Sequence, residues 1–141
     1  MPTVKIKRLD SELPLPSYAY PGDAAFDVYA AETKTLLPQK RHSFRTGLSL
    51  EIPEGYVGLV WDKSGLAIRQ GLKTLGGVID CGYRGELLVG MINLSSEPYT
   101  IERGNKIAQM VIQKKETVTL EEVQELSPSE RAEKGFGSSG K

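Results

Sequence analysis

Leu48-Ser49-Leu50-Glu51-Ile52-Pro53-Glu54-Gly55-Tyr56-Val57-Gly58-Leu59-Val60-Trp61 carries the fold in its spacing. Leu48, Leu50 and Ile52 alternate with Ser49 and Glu51, the period-two pattern of a half-buried strand. Pro53-Glu54-Gly55 supplies turn residues, and the apolar run that follows has buried-strand length. The same pattern extends outward in both directions. Val4, Ile6 and Leu9 roughly alternate with basic residues, and residues 87–94 and 107–112 are further short apolar runs. Pro21-Gly22-Asp23, Gly76-Gly77, Gly82 and Arg103-Gly104-Asn105 punctuate them, and 15 glycines with 8 prolines fit many turns. Residues 117–126 are also compatible with a strand. Many short strands at this spacing predict an all-β sandwich, jelly roll or barrel. One segment departs from the rhythm. Ser64-Gly65-Leu66-Ala67-Ile68-Arg69-Gln70-Gly71 has helix formers between a serine and a glycine, which predicts one short helix with Gly71 as its C-cap.

The totals narrow the chemistry. At 141 residues the chain fits one domain large enough for a real core. Lys plus Arg and Asp plus Glu number 18 each, so the basic footprint of a duplex-binding protein is missing and no direct nucleic-acid partner is expected. No apolar run approaches the ~20 residues of a membrane span, and the N-terminus lacks a signal-peptide core. A single cysteine, Cys81, excludes an internal disulfide and points to a reducing cytoplasm. One histidine and one cysteine cannot make a zinc site of the usual His/Cys type. His42 lies in Gln39-Lys40-Arg41-His42-Ser43, which reads as a polar turn with a solvated histidine. Carboxylates, hydroxyls, backbone amides and cations remain, and these suit magnesium, phosphate and water.

Several constellations use those groups. Gly77-Val78-Ile79-Asp80-Cys81-Gly82-Tyr83-Arg84-Gly85 places an acid where apolar alternation would continue, then a turn and a ring. A plain hairpin with an exposed aspartate is the bland reading. A hairpin with its strands prised apart would instead offer backbone groups to a flat base and Tyr83 to a sugar. Lys63-Ser64-Gly65 opens the short helix, where free N–H groups favour phosphate, unless Ser64 is only an ordinary cap. Asp27 is a lone acid among small and aromatic residues, either a solvated strand-edge side chain or a metal- or water-holding carboxylate. Gln109 is the polar residue inside an apolar run, facing solvent or holding a base or a water. Cys81 is a turn residue with nothing basic immediately beside it to mark a reactive thiolate. Ser127-Pro128-Ser129-Glu130 has the form of a capping box and predicts a short helix. The Gly/Ser-rich end, with Arg131, Phe136, Gly137, Ser138 and Ser139, reads either as a frayed terminus or as a loop closing on an anionic ligand.

In order and spacing, residues 24–30, 63–71, 77–85, 103–110 and 131–140 resemble the five motifs of the trimeric deoxyuridine triphosphatases. The resemblance spans essentially the whole chain. It implies a distorted jelly-roll homotrimer with active sites between subunits, cleaving dUTP to dUMP and pyrophosphate with Mg2+. That reaction would limit uracil in DNA and supply dUMP for dTMP synthesis. By the same resemblance Asp80 orients or deprotonates the attacking water, and Tyr83 packs under the deoxyribose. Backbone near Gly77 and Val78 reads uracil. Lys63, Ser64 and Gly65 hold phosphates, and Gln109 fixes phosphates or the water. Asp27 binds magnesium through water. Arg131, Phe136, Gly137, Ser138 and Ser139 belong to an arm, residues 127–141, that closes on a neighbour's site over the jelly-roll domain of residues 1–126.

Four positions depart from the family pattern. Lys63 stands for a usual arginine, which keeps the charge and loses the bidentate fork. Asn105 stands for a frequent aspartate, Cys81 for a common serine, and Ala25 for a common glycine. Two rivals share features: the related dCTP deaminases share the jelly roll, and a regulatory protein would use the nucleotide pocket as a switch. The glycine-rich arm and the Asp80/Tyr83 hairpin favour the triphosphatase.

Overall fold

The computed structural model describes residues 1–140. Lys141, the last residue of the predicted arm, lies outside the described residues. Ten strands and one helix follow in order: β1 (Lys5–Arg8), β2 (Phe26–Tyr29), β3 (Lys34–Leu36), β4 (Arg41–Glu51), β5 (Tyr56–Asp62), α1 (Ser64–Gln70), β6 (Leu72–Leu75), β7 (Val78–Ile79), β8 (Glu86–Asn93), β9 (Tyr99–Ile101) and β10 (Lys106–Lys114). They form a four-stranded sheet β1-β4-β8-β6, a second one β2-β10-β5-β7, and a two-stranded ribbon β3-β9. All pairings are antiparallel.

The stretch 48–61 crosses from one sheet to the other. Its first strand, β4, lies between β1 and β8, while β5 lies between β10 and β7. Inward residues of both sheets therefore share one core. Phe44, Leu50, Val89 and Met91 come from the first sheet, Val28, Val60, Ile107 and Met110 from the second, and Leu36 and Ile101 from the ribbon. Each fully buried large apolar side chain contributes about 1.5–3 kcal/mol. Phe44, at 0 % exposure, is the one whose truncation to alanine would cost most, about 3–5 kcal/mol. The architecture is nearly all-β and jelly-roll-like, as the spacing predicts, with α1 as its one helix among the described residues. Gly71 caps α1 in the left-handed conformation, and its N–H is bonded to the carbonyls of Ala67 and Leu66.

Three local expectations are corrected. Arg41, His42 and Ser43 belong to β4 and pair with Ile92, Met91 and Gly90 of β8. His42 is half-buried, hydrogen-bonded to Glu32 and edge-on to Phe44 with ring centroids 4.8 Å apart. Its polar neighbours disguise a strand whose other face is buried. Residues 117–126 form no strand, because the exposed Val118 and Leu120 meet no free sheet edge of their own chain. Residues 127–130 form no helix. A one-turn segment without a packed face cannot offset the cost of nucleation, and only a turn survives, with the Ala132 N–H donating to Ser129 Oγ at 3.0 Å. Regular structure ends at Lys114, and residues 116–140 are exposed.

Candidate active site

The second sheet carries the polar residues at its two ends. At one end, β2 and β10 pair so that Asp27 faces Gln109, and β10 pairs with β5 so that Gln109 also faces Trp61. Lys63 follows directly on the last residue of β5. The result is a compact cluster. Asp27 is 5 % exposed and receives the ammonium groups of Lys63 on Oδ1 and Lys106 on Oδ2, the latter at 3.1 Å. Burial alone would raise the Asp27 carboxyl, but hydrogen bonds from the two lysines, and their charges, outweigh it and hold the group below the ordinary carboxylate value. Lys106 is correspondingly raised by its hydrogen bond to Asp27. A cleft of about 230 Å³ opens here, lined by Asp23, Asp27, Lys63 and Gln109 among others.

A brace fixes this end. Gln109 Nε2 donates to the Asp62 carbonyl at 2.8 Å. The Asp62 carboxylate accepts from the Thr74 N–H at 2.7 Å and from its hydroxyl at 2.6 Å, and pairs with Lys73 at 2.9 Å. Burial pushes the Asp62 carboxyl up, and these bonds bring it below the usual value. Asp62 is thereby locked to β6, and Lys63-Ser64-Gly65 leave the strand in a fixed direction. Ser64 is the first residue of α1 and makes no side-chain cap.

The other end of the sheet holds the hairpin. β7 is the edge strand, with Val78 opposite Leu59 and Ile79 opposite Gly58. Gly77 enters it at φ 112°, and a Cβ there would lie 2.8 Å from the Val60 carbonyl oxygen, so only glycine lets the chain come this close. Beyond the turn the chain joins β8, which belongs to the other sheet. The two arms of the hairpin therefore diverge, and the outer edge of β7 has no strand beside it. Asp80 and Tyr83 sit at the tip, both exposed, with the Tyr83 N–H bonded to the Asp80 carbonyl at 3.1 Å. The Tyr83 hydroxyl donates to the Glu86 carbonyl at 2.7 Å. Arg84 folds back on the turn, donating to the Cys81 carbonyl at 2.6 Å.

Within one chain the structure joins Asp27, Lys63 and Gln109 and separates them from Asp80 and Tyr83. From Gly58, opposite Ile79, to Lys63 the strand covers roughly 15–20 Å at ~3.3 Å per residue. The arm residues Arg131, Phe136, Gly137, Ser138 and Ser139 touch neither group; Phe136 is fully exposed, and the segment makes only local turns such as Ser138 N–H to the Gly135 carbonyl. Lys106 and Asp62 are members of the cluster to which the sequence assigned no role. Lys106 falls inside the fourth motif, but its meeting with Asp27 depends on a strand register. Asn105 has a structural task, its Oδ1 accepting from the Glu102 N–H at 2.8 Å.

The cluster also constrains any metal. Among the described residues no group of three His, Cys, Asp or Glu converges. Both oxygens of Asp27 are engaged by lysines. Asp27 would therefore hold a divalent ion only through a water of that ion.

Comparison with known proteins agrees with this architecture. The dUTPase family profile matches residues 11–140. A deoxyuridine 5'-triphosphate nucleotidohydrolase of Corynebacterium glutamicum is 49 % identical over 141 aligned residues, covering 98 % of this chain and 95 % of that protein. A mutant dUTPase of Staphylococcus bacteriophage 80alpha, solved with dUpNHpp, superposes with a TM-score of 0.91 at 34 % identity, covering 98 % of each chain. A mutant dUTPase from phage phi11 of S. aureus, described with a structural Mg(II) ion, gives a TM-score of 0.81 at 30 % identity, covering 87 % of this chain and 97 % of that one. The fold and its relatives thus define a class, the jelly-roll-like nucleotide hydrolases. Within that class the chain belongs to the dUTPase family.

Proposed function

We propose that the protein hydrolyses dUTP to dUMP and pyrophosphate at sites completed between three copies of the chain. The observation that carries this reading is the division of the sheet. The lysine-bearing cluster and the Asp80/Tyr83 hairpin lie toward opposite ends of β5, and the cleft at the one and the pocket at the other share no lining residue within one subunit. A neighbouring copy that brings its hairpin to this cluster supplies the missing half. The exposed alternation of Val118 and Leu120 supports association between copies.

In that arrangement Lys63 and Lys106 lie beside the phosphate-binding position, together with the backbone of Ser64 and Gly65. They concentrate positive charge on a chain whose formal net charge is zero. The open backbone edge at Gly77 and Val78 pairs with the base, and the Tyr83 ring lies against the deoxyribose. Asp80 accepts a proton from a water as its oxygen bonds to the α-phosphorus; the bond from that phosphorus to the bridging oxygen breaks, and pyrophosphate leaves with the oxygen. Gln109 holds the water or a phosphate oxygen. Asp27 would hold magnesium through water, and the ion, when bound, supplies further charge neutralisation on the triphosphate. The arm brings Phe136 over the base, Arg131 to the phosphates, and Gly137, Ser138 and Ser139 as donors, which excludes bulk water. The reaction would keep uracil out of DNA and feed dTMP synthesis in the cytoplasm.

The deciding experiment is pyrophosphate release from dUTP, dCTP, dTTP and UTP, each with and without magnesium. Release from dUTP should be magnesium-dependent and far faster than from the other three. Comparable rates on dCTP would overturn the assignment.

A further inference from the structure

Gly85 follows the hairpin tip, and its backbone does not require glycine, since it is absent from the positive-φ positions. The space beside it does. A Cβ built on Gly85 would lie 2.5 Å from the Tyr83 Oη, 2.7 Å from its Cζ and 2.9 Å from its Cε1. The hydroxyl oxygen and two ring carbons thus occupy the volume that any other residue would fill. The ring can swing aside only by breaking the bond from its hydroxyl to the Glu86 carbonyl, at 2.7 Å. Its own backbone is fixed by the Asp80 turn, with Arg84 Nη1 bonded to the Cys81 and Tyr83 carbonyls. Tyr83 is 39 % exposed, so one side of the ring lies against the Gly85 backbone while part of it remains open.

From this geometry we infer that Gly85 is a specificity-determining position that acts through Tyr83. The bare backbone at 85 is the seat on which the ring rests, and the depth of that seat sets how close the ring stands to the sugar. A methyl at 85 breaks the Tyr83–Glu86 bond and lifts the ring off its seat. The ring then tilts and opens a gap that admits a 2′-hydroxyl. Discrimination between deoxyribose and ribose falls. The inference rests on the reading of Tyr83 as the sugar-facing group.

The test is a double-variant cycle on the full chain. The wild type, Gly85→Ala, Tyr83→Ala and the double variant are compared by kcat/KM for dUTP and for UTP, and by thermal midpoint. Gly85→Ala should lower kcat/KM for dUTP by up to about 100-fold. It should also shrink the dUTP/UTP ratio at least ~10-fold. In the Tyr83→Ala background, where the atoms that the methyl strikes are gone, Gly85→Ala should change the ratio less than ~2-fold. The same background should recover any midpoint lost by Gly85→Ala, so a poorly folding single variant still yields a result. An unchanged ratio in Gly85→Ala, with Tyr83→Ala shifted, overturns the inference alone. Equal effects of Gly85→Ala in both backgrounds also overturn it, since they mark a purely structural glycine. An unchanged ratio in Tyr83→Ala removes the sugar-facing reading, and the inference falls with it.

Discussion

Gln109 Nε2 and the carbonyl of Asp62 are joined by a 2.8 Å hydrogen bond between neighbouring strands. Only the amide nitrogen can donate to a carbonyl, so the bond fixes which way round the amide lies. The side chain that borders the lysine cleft is therefore pre-set by the strand that launches Lys63.

Gln109→Glu tests that relationship. A carboxylate oxygen would replace the donor against the Asp62 carbonyl, and a negative charge would enter the cluster beside Asp27. The expected outcome is a loss of about 1–3 kcal/mol of stability and a larger fall in kcat/KM for dUTP. Denaturant titration and steady-state kinetics measure the two. Wild-type kcat/KM in this variant would show that the amide's orientation does not matter to turnover.

Asp80→Asn keeps the shape of the hairpin and removes the proposed proton acceptor. Turnover should drop about 100- to 10,000-fold, with nucleotide affinity retained. Calorimetric binding of a non-hydrolysable dUTP analogue, alongside single-turnover kinetics, separates the two effects. Near-normal kcat would refute water activation by Asp80.

Truncation after Ser127 removes all of the proposed closing arm but Ser127 itself and none of the ten strands. The truncated protein should remain folded, sediment as a trimer and retain little activity. Full activity would mean that the C-terminal residues take no part in catalysis.

Acid titration reads the lysine cluster. Asp27 and Asp62 both have folded carboxyls held below the ordinary aspartate value. Their contribution to stability is therefore complete above about pH 4 and disappears as pH falls through the lowered folded values. Asp27→Asn should reduce stability near neutrality by roughly 1–3 kcal/mol and make the acid limb shallower, because less remains to be lost. Thermal midpoints between about pH 2.5 and 7 give the profile. Parallel profiles for variant and wild type would mean that the Asp27 ion pairs contribute nothing to folding.

Much of the fold was legible in the sequence because burial imposes period two on β4, and because Pro53-Glu54-Gly55 and Gly71 mark their turn and cap directly. His42 was misread because Arg41 and His42 hide a strand behind polar side chains, one of them satisfied by Glu32. The strand expected at 117–126 failed for a different reason. Alternation specifies a surface to be covered, and no strand of this chain pairs with residues 117–126. The site was legible as residue types, not as contacts. That Lys63 and Lys106 converge on Asp27 depends on the β2–β10–β5 register, with a shift between Lys106 and Ala108 that no single sequence reveals. The close seat of Tyr83 on Gly85 was equally hidden, since a glycine in a turn ordinarily signals backbone freedom.

The arms of the hairpin are rooted in opposite sheets, β7 in one and β8 in the other. The mouth of the hairpin is thus a gauge of the spacing between the two leaves of the sandwich. A substitution deep between them, at Phe44 or Met110, would widen or narrow the proposed base-reading surface without touching it. On that proposal, marginally destabilised forms of this protein should lose selectivity for the base before they lose their fold, so that fidelity fails earlier than structure as temperature rises.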